Sequence, residues 1–318
     1  MSREDTRAPM VVQLAPIGEI ANELLASEFR AVRFWELSDP ESWLKRFAPN
    51  VLVVATSVRR GCDAETIAQF PRLGAICSWG VGFDTIDVAY ARERGIQVSV
   101  TPDVLNDCVA DLAWSLLLST ARRVAQADRY VRANRWQRLG EFPLSTKVSG
   151  KRLGILGLGR IGAAIARRGE GFSMSVAYHG RRPVEGVPYR YESTLTGLAN
   201  WADFLVVACR GGPQTRHLVT REVLQELGPQ GIVVNIARGT VIDTEGLRIA
   251  LEQGLVGGAG LDVIEGEPGV PDWLRERDDV VMTPHIGSAT LDTRQEMERL
   301  VLDNVRSFIN SGNVVTHA

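Results

Sequence analysis

The chain has 318 residues, 45% of them hydrophobic and 23% charged, a globular composition with room for two domains of ordinary size. Its formal net charge of −2 gives no electrostatic footprint for nucleic acid. The N-terminal stretch MSREDTRAPM lacks the apolar region of a signal peptide, and the most apolar helical stretch, Leu112–Ala121, is far too short to span a bilayer. Cys62, Cys77, Cys108 and Cys209 are scattered with no CxxC pair, so the expectation is free thiols in a reducing cytoplasm and no metal site.

In chain order, short β-branched runs predict strands at Met10–Leu14, Val51–Ala55, Ala75–Cys77 and Gln97–Ser99. The stretch Val104–Trp136 then reads as helical throughout, with Asp103 as its N-cap and Leu112, Leu116 and Ser119 on one face. Further strands are predicted at Arg152–Leu156, Ser175–Tyr178, Phe204–Val207, Ile232–Asn235, Gly258–Leu261 and Val280–Met282. Helical patterns stand between several of them at Ala163–Gly171, Arg221–Leu227 and Thr244–Gln253. A last helix is expected over Asp292–Asn310. Repeated β-α-β units with nearly continuous apolar strands imply an α/β fold of parallel sheets covered on both faces. The long helical stretch reads as a crossing out of a first domain, and the last helix as a return to it.

Residues 157–162 read GLGRIG, after a buried-strand pattern and at the start of a helical one. In that context the sequence is a dinucleotide fingerprint. Gly157 permits the tight turn, Gly159 lets the backbone approach a pyrophosphate, and Gly162 lets helix and strand lie close. An acidic residue about 20 positions further on normally holds the ribose hydroxyls. Here His179, Gly180, Arg181 and Arg182 occupy that place, with no acid among them. Two guanidinium groups suit a 2′-phosphate, Gly180 leaves room beside the ribose, and His179 is a further candidate donor. The expected cofactor is therefore NADPH in preference to NADH, with NAD as the second candidate.

Three polar clusters follow later strands: NIARG (235–239), LDVIEGEP (261–268) and TPHIGSAT (283–290). They put Arg238, Glu267 and His285 on loops at strand ends, where open α/β sheets place ligands. Arginine clamps a carboxylate through two N–H groups. Histidine exchanges a proton near neutral pH, and a neighbouring glutamate holds its tautomer and stabilises its charged form. Taken singly, Arg238 also reads as a surface ion-pair residue, Glu267 as a solvated turn residue and His285 as a structural histidine. Taken together downstream of a cofactor loop they point to chemistry. His217 and His317 are weaker candidates.

With SWGVGFDTIDV (78–88), TPDVLNDCVAD (101–111), GLGRIG, NIARGTVID, GGAGLDVIEGEP and TPHIGSAT, the chain resembles the D-isomer-specific 2-hydroxyacid dehydrogenase family. Its closest branch looks like the NADPH-preferring glyoxylate, hydroxypyruvate and hydroxyphenylpyruvate reductases. The resemblance implies two Rossmann-like domains, one flavodoxin-like and one NAD(P)-binding, with an active site in the cleft between them. The substrate domain is expected over 1–100 and 288–318, the cofactor domain over 101–287, and the assembly as a homodimer. It further implies that His285 is the acid/base, Glu267 its partner and Arg238 the clamp on the carboxylate of a 2-oxo acid. The loop of Val81 and Gly82 matches the amides that hold the same carboxylate. Leu158, Gly159, Arg160 and Ile161 match the pyrophosphate loop, and Cys209, Ile236 and Asp262 match positions lining the rest of the cofactor site. Trp79 is either an aromatic wall of the pocket or a core residue. The same scaffold hosts formate and phosphite dehydrogenases and enzymes acting on 2-ketogluconate, aromatic 2-oxo acids or phosphoglycerate. Non-enzymatic dinucleotide-sensing corepressors share it too. Glu267 argues against formate dehydrogenase, and the missing ribose aspartate argues against phosphoglycerate dehydrogenase.

Overall fold

The computed structural model describes residues 10–318; the mixed-charge stretch 1–9 lies outside the described residues. The chain divides into two compact units, one running up to Leu105 and including Ala289–Ala318, the other Asn106–Ser288. No helix among the described residues is long and apolar enough to cross a membrane.

The first unit holds five parallel strands: β1 (Val11–Gln13), β2 (Val32–Arg33), β3 (Val53–Ser57), β4 (Ala75–Trp79) and β5 (Gln97–Ser99). Their order is β2-β1-β3-β4-β5, the flavodoxin-like winding. Alternate side chains build two cores, as the two-residue period of a strand requires. Val11, Val53, Ala55, Ala75 and Cys77 pack with Ala21 and Leu25 and with Val301, Leu302 and Val305 of the C-terminal helix Leu291–Ser311. Val12, Val54, Ile76 and Val98 pack on the other face with Trp43, Ile67, Phe70 and Ala91. Asp39, Asp63 and Asp87 cap the three short helices on that face by accepting from backbone N–H groups three residues on.

The second unit holds seven parallel strands: β6 (Arg152–Leu156), β7 (Ser175–His179), β8 (Arg190–Tyr191), β9 (Phe204–Val207), β10 (Ile232–Asn235), β11 (Gly258–Leu261) and β12 (Val280–Met282). Their order, β12-β11-β10-β9-β6-β7-β8, is a Rossmann winding with one further strand. The chain reverses direction across the sheet between β6 and β9, which puts the ligand-binding switch point at the carboxyl end of β6. One face packs Leu156, Leu205, Val207, Val233 and Leu261 against Leu198, Val223, Leu224, Leu247 and Leu251.

The helix expected over Val104–Trp136 is three helices: Asn106–Arg122, Val124–Arg132 and Arg135–Leu139. The breaks fall at Arg123 (φ 53°) and Asn134 (φ 54°), both left-handed. Neither break carries a glycine to announce it. Long-range ties hold the bent second helix, with Gln126 donating to the Asp278 carbonyl at 2.5 Å and Arg129 paired with Asp278 at 3.3 Å. Asp103 lies just before the first helix, itself at φ 69°. The buried face runs through Val109, Ala113, Leu116, Leu117 and Thr120, with Leu112 and Ser119 only half-buried. Trp114 stacks on Phe172 with ring centroids 4.5 Å apart and donates to the Ile165 carbonyl at 3.1 Å.

Candidate active site

The fingerprint turn sits at the switch point, between β6 and the helix Arg160–Gly171. Gly157 has φ 97°, and a Cβ there would lie 2.6 Å from the Cys209 Cα. A Cβ on Gly162 would lie 2.1 Å from the Gly157 carbonyl oxygen, so helix and turn close up only around glycine. Gly159 differs: it is exposed, and nothing stands within 4 Å of where its Cβ would be. No side chain caps the helix that follows it. An uncapped helix N-terminus opening onto free space through glycine fits a pyrophosphate. Arg160 is exposed and Ile161 half-buried beside that opening, while Leu158 points into the core, 9% exposed. Cys209, just past β9, is half-buried, and desolvation pushes its thiol up to about 11. Ile236 is likewise buried, immediately after β10.

His179, Gly180, Arg181 and Arg182 follow at the end of β7. His179 donates from Nδ1 to the Glu192 carbonyl at 2.8 Å. Arg181 and Arg182 are both exposed, and among the described residues neither makes an ion pair.

The structure brings Glu267 and His285 together within the second unit. Glu267 Oε1 accepts from His285 Nδ1 at 2.5 Å, and Glu267 Oε2 accepts from the Ile264 amide at 3.3 Å. The carboxylate at Nδ1 places a proton there, which fixes the tautomer of the neutral ring. The backbone of His285 is left-handed, φ 55°, an unusual state for a side-chain-bearing residue. Its amide donates to the Asp262 carbonyl at 2.9 Å and the Thr283 carbonyl at 3.0 Å. Beneath it lies Asp262, 2% exposed. The Asp262 carboxylate accepts from the Thr283 hydroxyl at 2.7 Å, the Ile286 amide at 2.7 Å and the Gly287 amide at 2.8 Å. Asp262 is thus the anchor that shapes the histidine loop.

Arg238 is half-buried on the turn after β10. Asn235 holds that turn from both sides, donating to the Arg238 carbonyl at 2.9 Å and accepting from the Ala237 amide at 3.0 Å. The arginine stem crosses Gly211, where a Cβ would lie 2.4 Å from Arg238 Cγ. The next residue, Gly239, lies against the backbone of Ile264 and Glu265, so the arginine turn and the Glu267 loop are in contact. Asn235, Gly211 and Gly239 therefore support the Arg238 turn. Gly211 carries no local signal that separates it from an ordinary loop residue.

Trp79, Val81 and Gly82 belong to the first unit. Trp79 ends β4, half-buried against the core beneath the C-terminal helix, with the Arg294 guanidinium carbon 4.4 Å from its ring centroid. Val81 and Gly82 follow on a half-buried loop. Thr101 pins the start of that loop: its hydroxyl accepts from the Gly80 amide at 3.1 Å and its own amide donates to the Gly80 carbonyl at 2.9 Å.

Comparison with known proteins identifies the family. Residues 114–287 match the family model described as D-isomer specific 2-hydroxyacid dehydrogenase, NAD binding domain. The chain is 42% identical over 306 residues to glyoxylate/hydroxypyruvate reductase A of Arabidopsis thaliana, covering 96% of this chain and 97% of that protein. It is 40% identical over 306 residues to the hydroxyphenylpyruvate reductase of Plectranthus scutellarioides, with the same coverage of 96% and 97%. Among solved structures, it superposes with a TM-score of 0.90 on the NADPH-dependent glyoxylate/hydroxypyruvate reductase of Sinorhizobium meliloti in complex with NADP and malonate. That match has 38% identity and covers 98% of this chain and 97% of that one. The chain belongs to the D-isomer-specific 2-hydroxyacid dehydrogenase family of NAD(P)-dependent oxidoreductases.

Proposed function

We propose that this chain is an NADPH-preferring reductase of small 2-oxo acids of the glyoxylate and hydroxypyruvate type, yielding the D-2-hydroxy acid. The observation that carries the reaction class is the His285–Glu267 pair at 2.5 Å, standing at strand ends beside the turn of Arg238. NADPH, when bound, supplies the hydride that reaches the carbonyl carbon. Glu267 fixes the Nδ1–H form of His285 and stabilises the imidazolium. His285 Nε2 then gives its proton to the carbonyl oxygen. Arg238 pairs with the substrate carboxylate through two N–H groups, and the loop of Val81 and Gly82 is the candidate carboxylate-binding loop of the first unit. In this reading the first unit is the substrate domain and the second the cofactor domain. The turn from Gly157 to Gly162 holds the pyrophosphate, and Cys209, Ile236 and the Asp262 loop line the remainder of the cofactor site.

The cofactor preference rests on the end of β7 and the residues after it, where Arg181 and Arg182 are exposed and none of residues 179–182 is acidic. The NADP complex of the Sinorhizobium meliloti enzyme supports it. Two of the three relatives above are named for glyoxylate and hydroxypyruvate, which favours small substrates; the hydroxyphenylpyruvate reductase keeps an aromatic 2-oxo acid as the second reading. Four free cysteines support a cytoplasmic setting, and a run of exposed apolar side chains between Val124 and Leu144 supports a homodimer.

The test is a panel of glyoxylate, hydroxypyruvate, 2-ketogluconate and phenylpyruvate with each cofactor. The expected result is the highest kcat/KM for glyoxylate or hydroxypyruvate, with NADPH at least about tenfold better than NADH. Reduction uses the protonated ring of His285 and oxidation the neutral ring. His285→Ala is expected to lose at least about a hundredfold in turnover with cofactor affinity near parental. Equal efficiency with both cofactors would overturn the preference. No turnover of any 2-oxo acid would leave a dinucleotide-sensing protein.

A further inference from the structure

The loop carrying Arg181 and Arg182 hangs between two tyrosine hydroxyls. Tyr178 on β7 and Tyr191 on β8 are paired across the strands, with ring centroids 5.4 Å apart. At one end of the loop the Val184 amide donates to the Tyr178 hydroxyl at 2.8 Å. At the other end the Tyr191 hydroxyl donates to the Gly180 carbonyl at 3.1 Å. Tyr178 is 2% exposed, so its hydroxyl is a fixed point rather than a mobile one. A third tie comes from His179, whose Nδ1 donates to the Glu192 carbonyl at 2.8 Å and whose ring stacks on Tyr191. The same His179 accepts from the Gly157 amide at 2.8 Å through its carbonyl. The fingerprint turn and the arginine loop are therefore secured to adjacent residues of one strand end. The loop from Gly180 to Val184 is held at both ends while both guanidinium groups stay exposed. Such a loop loses less conformational freedom when a phosphate orders its arginines than an untethered one would.

We propose that Tyr191, acting with Tyr178, is a positioning residue for cofactor specificity: it holds the Gly180–Val184 loop where Arg181 meets the 2′-phosphate of NADPH. The proposal rests on the reading of Arg181 above and assigns Tyr191 no contact with the reacting atoms. Tyr191→Phe keeps the ring packing and removes only the hydroxyl. Calorimetric titration with adenosine 2′,5′-bisphosphate and with adenosine 5′-phosphate reads the effect without turnover. Tyr191→Phe is expected to weaken the bisphosphate about three- to tenfold and leave the monophosphate unchanged. The KM for NADPH should rise in step, with that for NADH unmoved. In an Arg181→Ala background the same change should add almost nothing, because its effect runs through that side chain. If Arg181→Ala weakens the bisphosphate and Tyr191→Phe does not, the clamp is overturned and the arginine reading stands. Equal weakening of both probes by Tyr191→Phe would make the tyrosine merely structural and overturn the clamp as well. A parent protein that binds both probes equally would overturn the arginine reading, and the clamp with it.

Discussion

Asp262 shapes the loop that carries His285, the proposed acid/base. Its carboxylate accepts three hydrogen bonds from Thr283, Ile286 and Gly287, and its backbone carbonyl accepts from His285. Asp262→Asn substitutes an NH2 for one oxygen, and that NH2 must face at least one N–H or O–H donor. A buried donor left unmet costs about 1–3 kcal/mol, and the strained backbone of His285 is what that loss would release. The expected outcome is a fall in kcat of at least about tenfold with a smaller change in cofactor affinity. Steady-state kinetics together with fluorescence titration of the cofactor would show it; unchanged kcat would mean that the loop holds its shape without the carboxylate. The family resemblance alone pointed to Asp262, and as a residue lining the cofactor site. Its anchoring role was not legible, because its partners lie 21 to 25 residues away in sequence and two of them are backbone amides. Glu267 and His285 were legible as residue types at strand ends, whereas the bond between them depends on how two loops fold over one another.

At the scale of elements, the site is a set of loops fastened to one another at the carboxyl ends of β9 to β12. Glu265 is a central fastener. It accepts from Arg216 at 2.8 Å, from His217 Nε2 at 3.1 Å and from the Thr244 hydroxyl at 2.9 Å. Those partners come from the loop after β9 and the helix start after β10. Burial pushes the Glu265 carboxyl up, but Thr244, His217 and Arg216 outweigh it and hold it below its usual value of 4.5. A lowered carboxyl stabilises the fold fully above that usual value and loses the contribution as pH falls through its own lower one. Glu265→Gln is therefore expected to lower Tm by a few degrees at neutral pH, for a loss of about 1–3 kcal/mol. The gap between variant and parent should narrow on acidification below the usual value. The KM for the 2-oxo acid should rise, because Gly239 seats the Arg238 turn directly on Glu265. A Tm difference independent of pH would rule out the charged network. Legibility at this scale follows length. The strands of the second sheet that have four or more residues stand where the sequence predicts them, whereas β2 and β8, two residues each, are missed. A two-residue strand has no period to detect, yet β8 supplies Tyr191. The long helical segment was misread as continuous because Arg123 and Asn134 turn without glycine, under ties to Asp278 that only the fold supplies.

For the molecule as a whole, the segment that follows Arg123 raises the question of what covers it. Val124, Val131, Trp136, Leu139 and Leu144 are 53%, 54%, 65%, 67% and 99% exposed. Scattered apolar residues on a surface need no explanation, but five within twenty-one positions of one segment do. The breaks at Arg123 and Asn134 let this segment depart from the helix Asn106–Arg122, whose own apolar face is spent on the sheet. Local ties shape it: the Tyr130 hydroxyl donates to the Gly140 carbonyl at 3.2 Å, and the Phe142 ring stands edge-on to Tyr130 at 5.3 Å beneath Arg123. An exposed apolar segment braced in this way fits a self-complementary contact between two copies, the commonest symmetry of soluble oligomers. Burying a large apolar side chain stabilises a contact by about 1.5–3 kcal/mol, and a two-fold contact uses each residue twice. Trp136→Glu combined with Leu139→Glu is therefore expected to raise the dimer Kd at least about a hundredfold. Light scattering over a dilution series would show the parent at twice the chain mass and the variant at the single-chain mass. The variant should melt cooperatively, since Trp136 and Leu139 are exposed and belong to none of the core clusters described above. A parent that runs as a monomer at all concentrations, or a double variant that remains a dimer, would show that a second copy does not cover this segment.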